Sequence, residues 1–176
     1  MSVSFCFMIG IAGGMDSMKS ALADALCEAY SHRPVIHLKM DEYRKPFDEL
    51  PFVTLQNGDR IRDEYSPEAY DLTRLQKDIA DIMWNKRCRI LVVEGTYILW
   101  HKGIEELCDA RVYTDGPSDG DLSEVTSVHD VENVIRDCHR RYVAPSKTEA
   151  DIPVLMEDNV ERGVWKIKKA LWGLWL

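Results

Sequence analysis

The chain is short of positive charge. Across 176 residues, 22 lysines and arginines face 30 aspartates and glutamates, a formal net charge of −8. That balance excludes a general affinity for nucleic acid or an anionic membrane surface, since both need basic patches. An anionic ligand would therefore need a local basic pocket. No apolar stretch is long enough to span a bilayer. No basic leader with a small-residue cleavage site precedes Phe5, so no secretory signal is expected. The five cysteines, Cys6, Cys27, Cys88, Cys108 and Cys138, are odd in number, scattered and without metal spacing. They read as reduced thiols in a cytoplasmic protein. His37, His101 and His129 have no partner at ligand spacing, and no metal site is assigned to them. There are no repeats, low-complexity segments or linkers, and the length fits one domain over residues 1–176.

What is present begins with Phe5 to Tyr30. An unbroken apolar run from Phe5 to Ala12 reads as a strand buried on both faces. A small-residue turn follows, then a helix-forming segment from about Met18 to Tyr30. Strand, glycine loop, lysine and hydroxyl, then helix is the layout of a phosphate-binding loop, G-x-x-x-x-G-K-[ST]. Consecutive backbone N–H groups converge on an anion only where no side chain blocks the approach, and a helix start adds unpaired donors and its positive dipole end. Gly13, Lys19 and Ser20 fit the pattern, but Met18 stands where its second glycine belongs, and Gly14 comes too early to replace it. Bulk at Met18 is expected to obstruct the backbone from phosphate, so that a glycine there would tighten nucleotide binding. The alternative is a β–α turn that never meets a nucleotide.

The rest of the chain alternates strands and helices. Val35–Met40, Cys88–Gly95, Ala110–Asp115 and Ala150–Met156 read as strands, and 66–86, 104–107, 128–142 and 157–176 as helices. Ser66 is the expected N-cap of the second long helix, with Pro67 in its first position. Arg44 to Ser66 shows no sustained period and reads as a long excursion. The pattern predicts an α/β fold: three layers, with a central parallel sheet of about five strands and helices on both faces. Ligands in such folds sit beyond the carboxyl ends of the strands. Gly13–Ser20, Asp41 and Glu94 all fall there. Asp41 could accept a proton from an acceptor hydroxyl or hold magnesium, and Glu94 suits magnesium directly or through water. Alternatively, each acid caps a helix or sits in solvent.

Gly10-Ile11-Ala12-Gly13-Gly14, Met40-Asp41-Glu42-Tyr43, Ser66-Pro67-Glu68-Ala69-Tyr70-Asp71 and Leu91-Val92-Val93-Glu94-Gly95 occur in the order and spacing of one family. Together they resemble the uridine kinase and phosphoribulokinase family of P-loop kinases, which includes nicotinamide riboside kinases. Arg141-Tyr142-Val143-Ala144-Pro145, Ala150-Asp151-Ile152 and Asn159 look like its later segments. The resemblance implies the P-loop NTPase fold, with ATP and Mg2+ on Gly13, Gly14, Met15, Asp16, Ser17, Met18, Lys19, Ser20 and Ala21. It implies Asp41 as catalytic base with Lys19 on the phosphates, and Ser20, Asp41 and Glu94 as the magnesium set. Tyr43, Tyr65, Glu94 and Arg141 are then the substrate-side residues. Besides Met18, two departures stand out. Tyr65 occupies the place where the family carries a ribose-holding acid, with Asp63 and Glu64 displaced toward the N-terminus. In the reduced lid-like region 116–145, Gly116 to Asp130 has no lysine or arginine and four acids. Arg136, Arg140 and Arg141 lie next in line, either as substitutes or as a solvated helix face. Arg44 and Lys45 read first as solvated.

The expected activity is transfer of the ATP γ-phosphate to a hydroxyl of a nucleoside or similar metabolite. The alternative is a catalytically impaired nucleotide-binding or regulatory relative. Expected partners are a nucleotide and a small-molecule substrate, with no nucleic acid and no membrane. Trp165, Trp172 and Trp175 with Lys166, Lys168 and Lys169 read as an amphipathic last helix, and Trp175 suggests a possible homodimer contact.

Overall fold

The computed structural model describes residues 6–85, 87–120 and 131–172. Lys86, Val128, His129 and Trp175, and most of the arginine-free stretch, lie outside them. Five strands form one parallel sheet: β1 (Phe7–Gly13), β2 (Val35–Lys39), β5 (Ile90–Glu94), β6 (Ala110–Thr114) and β7 (Ile152–Val154), in the order β2-β5-β1-β6-β7. The intervening β3 (Phe52–Thr54) and β4 (Arg60–Arg62) make a separate antiparallel hairpin. The helices are α1 (Lys19–Ala29), α2 (Leu72–Trp84), α3 (Lys102–Glu105), α4 (Val131–Cys138) and α5 (Val160–Leu171). None among the described residues is long and apolar enough to cross a membrane.

Both sheet faces are covered, which is why β1 and β5 read as continuous apolar runs. Alternate residues serve opposite layers. Met8, Leu91 and Val93 pack with Leu75 and Ile79 of α2. Ile9, Ile11, Ile90 and Val92 pack with Leu22 and Leu26 of α1 and Ile167 and Leu171 of α5. All eleven of these strand, α1 and α2 side chains are fully buried, and burying each contributes about 1.5–3 kcal/mol.

Two expectations are corrected. The excursion 44–66 contains the β3–β4 hairpin, turned at Asn57-Gly58 where Gly58 has φ 89°. Ser66 does not cap the long helix. Pro67–Ala69 is a 3-10 turn, Tyr70 is extended, and α2 starts at Leu72 with Asp71 accepting from the Arg74 N–H at 3.0 Å. The break arises because Tyr70 bridges Arg44, while the Asp71 N–H donates to the Tyr43 carbonyl at 2.8 Å.

Candidate active site

Register brings the strand tips together. Glu94, the last residue of β5, pairs with Ile11 of β1 on one side and Lys39 of β2 on the other. The chain leaves β1 toward β2 and leaves β6 toward β7, on opposite sides, so the loop after β1 lies in the crevice between them.

That loop is pinned. The buried Thr114 hydroxyl, at the tip of β6, lies 3.1 Å from the Ala12 carbonyl oxygen and 2.9 Å from the Ser17 hydroxyl. A Cβ on Gly13 would lie 2.5 Å from the Thr114 carbonyl oxygen and 2.6 Å from Ser17 Oγ, so only glycine fits. Asp16 takes a left-handed backbone conformation, φ 58°, the one non-glycine case among the described residues. Lys19 Nζ donates to the Gly14 carbonyl at 2.9 Å, and the Ser20 hydroxyl donates to Glu94 Oε1 at 3.0 Å. Glu94 itself is buried. Burial pushes the Lys19 amine below its ordinary value, against the opposing pull of Glu94, Asp41 and Asp16.

A cavity of about 220 Å3 opens here, lined by the Met15, Asp16, Lys19 and Ser20 side of the loop and by Asp41, Arg44, Glu64, Tyr65, Tyr70 and Tyr97 opposite. Ser118, Ile135, Cys138 and His139 close the third side. A phosphate chain with magnesium fits the residues present: Lys19 lines the cavity, and Ser20 and Glu94 offer hard oxygen donors, the type Mg2+ takes while keeping water. No group of three or more His, Cys, Asp or Glu side chains is placed to hold a metal among the described residues.

Met18 does not line the cavity. Its φ is −77°, and its half-buried side chain packs on the apolar cluster between the sheet, α1 and α5. The expected obstruction therefore finds no basis in this geometry. Gly13, Gly14, Ser17 and Ala21 belong to the loop and the start of α1 without lining the cavity. Tyr43 is turned away: it is buried, its hydroxyl donates to Asp78 at 2.9 Å, and burial with that bond pushes it up to about 12. Arg141 also stays outside, 3.1 Å from Asp137, which raises its value.

Three contributors carried no sequence signal of their own. Arg44 is exposed, as expected, but it is also engaged. It lies 3.1 Å from Glu64, donates to the Tyr70 hydroxyl at 2.9 Å and sits over the Tyr70 ring. Glu64 brings an acid to the cavity despite its shifted position, while Asp63 is spent on the backbone N–H groups of Tyr65 and Ser66. His139 is buried, with Nε2 3.3 Å from Asp119 Oδ1. Each has its partner far along the chain, where no local spacing records it.

No family model matches the chain. It is 25% identical to uridine kinase of Clostridium tetani, over 82% of this chain and 84% of that one. It is 27% identical to uridine kinase of a Geobacillus species, over 82% and 83%. In fold it is similar to a possible uridine kinase from Bacillus stearothermophilus (TM-score 0.59, 16% identity, 88% of this chain and 91% of that one). It is also similar to phosphoribulokinase from Rhodobacter spheroides (TM-score 0.60, 12% identity, 92% and 74%). In sequence the chain is thus similar to uridine kinases, and in sheet order and fold to P-loop kinases that include phosphoribulokinase.

Proposed function

We propose that the chain transfers the γ-phosphoryl group of ATP, with Mg2+, to a hydroxyl of a nucleoside or similar small metabolite. The observation that supports this reading best is the meeting of Lys19, Ser20 and Asp41, from different strand ends, along one cavity wall with Glu94 bonded beneath Ser20. Backbone N–H groups from Gly13 to Ser20, with the start of α1 through Ala21, would hold the phosphates. Lys19 would reach the outer ones. Ser20 and Glu94, with Asp41 nearby, would hold the metal, which when bound neutralises charge on the phosphates. Asp41, exposed on the 3-10 turn Met40–Tyr43, would take the acceptor's proton, and Tyr65 would border the acceptor. Five free thiols fit a cytoplasmic setting, where ATP and Mg2+ are available.

Isothermal titration with MgATP, followed by a phosphorylation screen over nucleosides, ribosides and sugars, tests the reading. Saturable heat and one phosphorylated acceptor class are expected. No heat up to millimolar nucleotide, or binding without transfer to any hydroxyl, would refute it.

A further inference from the structure

We propose that His139 supplies the transferring phosphoryl group with the positive contact that the lid's arginines do not, standing against Gly14 beside the Lys19 ammonium and backed by the half-buried carboxylate of Asp119. The inference rests on the kinase reading of the same site. Phosphoryl transfer gathers negative charge that a kinase offsets with cations around the phosphate. Residues 116–130 hold no lysine or arginine. Further on, Arg136 lies 3.6 Å from Glu132, and Arg140 and Arg141 each lie 3.1 Å from Asp137. None of the three lines the cavity beside the loop.

His139 does line it, at 4% exposure, from the first position of the π-helical turn His139–Val143 that continues α4. It also lines a neighbouring cavity of about 240 Å3 between Pro117 and α4, where Arg136 lies with its Glu132 partner, so of these side chains it alone reaches both. Its ring spans two groups. Nε2 faces Asp119, whose carboxylate is fixed by the Tyr113 hydroxyl at 2.7 Å and the Gly116 N–H at 2.8 Å. The opposite edge faces the loop: a Cβ on Gly14 would lie 2.8 Å from Cε1 and 2.9 Å from Nδ1. Lys19 Nζ bonds the carbonyl of the same Gly14. The ammonium and the imidazole thus converge on one residue of the phosphate loop.

The charged groups around the ring are Asp119 behind it, Lys19 across Gly14, Asp16 and Asp41 on the walls of the main cavity, and Glu132 with Arg136 on the neighbouring one. The neighbouring Cys138 thiol, pushed up to about 12 by burial, stays neutral, as does Tyr113. Imidazolium carries N–H on both nitrogens, one for Asp119 and one for a phosphoryl oxygen, which the neutral ring cannot offer at once.

The test is steady-state transfer by wild type and His139→Gln across pH 5.5–9. The variant should lose about 10²–10³ in kcat, the range for one preorganised donor, with the acceptor KM within about threefold. Wild-type kcat should fall as pH rises through the imidazole range, and the variant's profile should be flat there. Turnover within threefold of wild type, or an unchanged profile, overturns the inference alone. A wild type that transfers to no hydroxyl overturns the kinase reading and this inference with it. Should His139→Gln fail to fold, Asp119→Asn reads the same chemistry: the alkaline limb should move to lower pH, and an unmoved limb overturns the proposal.

Discussion

Replacing Met18 by glycine restores the phosphate-loop pattern and yet should leave nucleotide affinity unchanged. Met18 sits at the start of α1 with φ −77° and ψ 18°, which any residue adopts, and its side chain points into the apolar cluster formed with α5. Removing a half-buried methionine forfeits roughly 1–1.5 kcal/mol of the 1.5–3 kcal/mol for full burial. Glycine is a better N-cap than a large apolar residue, and that returns about 0.5 kcal/mol. The net is about 0.5–1 kcal/mol of lost stability, or a Tm lower by about 1–4 °C for a chain of this size. Cavity-side geometry is untouched, so the MgATP Kd should stay within about twofold, about 0.4 kcal/mol. Differential scanning calorimetry and titration of the same preparation read both numbers. A Kd tightened tenfold or more, about 1.4 kcal/mol, would mean that the methionine does obstruct the phosphates, and the placement of its side chain would fail as an explanation.

Lys19→Ala should abolish transfer while preserving the circular dichroism spectrum and Tm to within a few degrees, because the half-buried amine bonds only the Gly14 carbonyl. Unaltered turnover would remove Lys19 from the mechanism. Glu94→Gln keeps an acceptor for the Ser20 hydroxyl but loses the charge. The Mg2+ concentration for half-maximal rate should rise tenfold or more, and an unmoved requirement would take Glu94 off the metal. Asp119 is held below the usual carboxylate value: burial pushes it up, and the bonds from His139, Tyr113 and Gly116 outweigh that. A depressed folded value gives stability that is complete above the unfolded value of about 4 and lost as pH falls through the folded one. Tm should therefore drop more steeply below pH 4 in wild type than in Asp119→Asn, and parallel curves would contradict the assignment.

Two kinds of information decided what the sequence could show. β1 and β5 were legible because strands covered on both faces must be apolar throughout, and Gly13, Lys19 and Ser20 because the phosphate loop is a contiguous segment whose spacing is its geometry. The hairpin was not, since its strands have three residues each and expose Phe52 and Arg60 to one another, the guanidinium 4.5 Å over the ring. A polar-aromatic alternation that short has no period to detect. The start of α2 was misread because Tyr70 breaks the helix through a bridge to Arg44, a tertiary contact that overrides a good capping sequence. Tyr43 sits next to the strand tip in sequence, but the 3-10 turn rotates it into the core and leaves Asp41 outward. The side of the cavity that faces the acceptor was illegible for the same reason as His139: its members meet across 20 or more residues.

That acceptor side carries a charge argument of its own. Asp41 and Glu64 stand on it, and its one cation, Arg44, is engaged by Glu64 at 3.1 Å and by the Tyr70 hydroxyl. An acceptor already bearing a phosphate would bring its charge against two carboxylates, with no uncommitted guanidinium among the described lining residues to receive it. Like-charge juxtaposition at a closed site costs several kcal/mol, which converts to about 10²-fold or more in kcat/KM. The proposed acceptor is therefore a neutral polyhydroxylated compound. Matched pairs decide it: a nucleoside against its own 5′-monophosphate, with ADP release followed at saturating MgATP. The neutral member should lead by about 10²-fold. Glu64→Gln, which frees Arg44 and removes one acid, should narrow that gap about tenfold. A monophosphate turned over within tenfold of its nucleoside, or a gap that Glu64→Gln leaves unchanged, would show that Arg44 is available to an anion despite its partners.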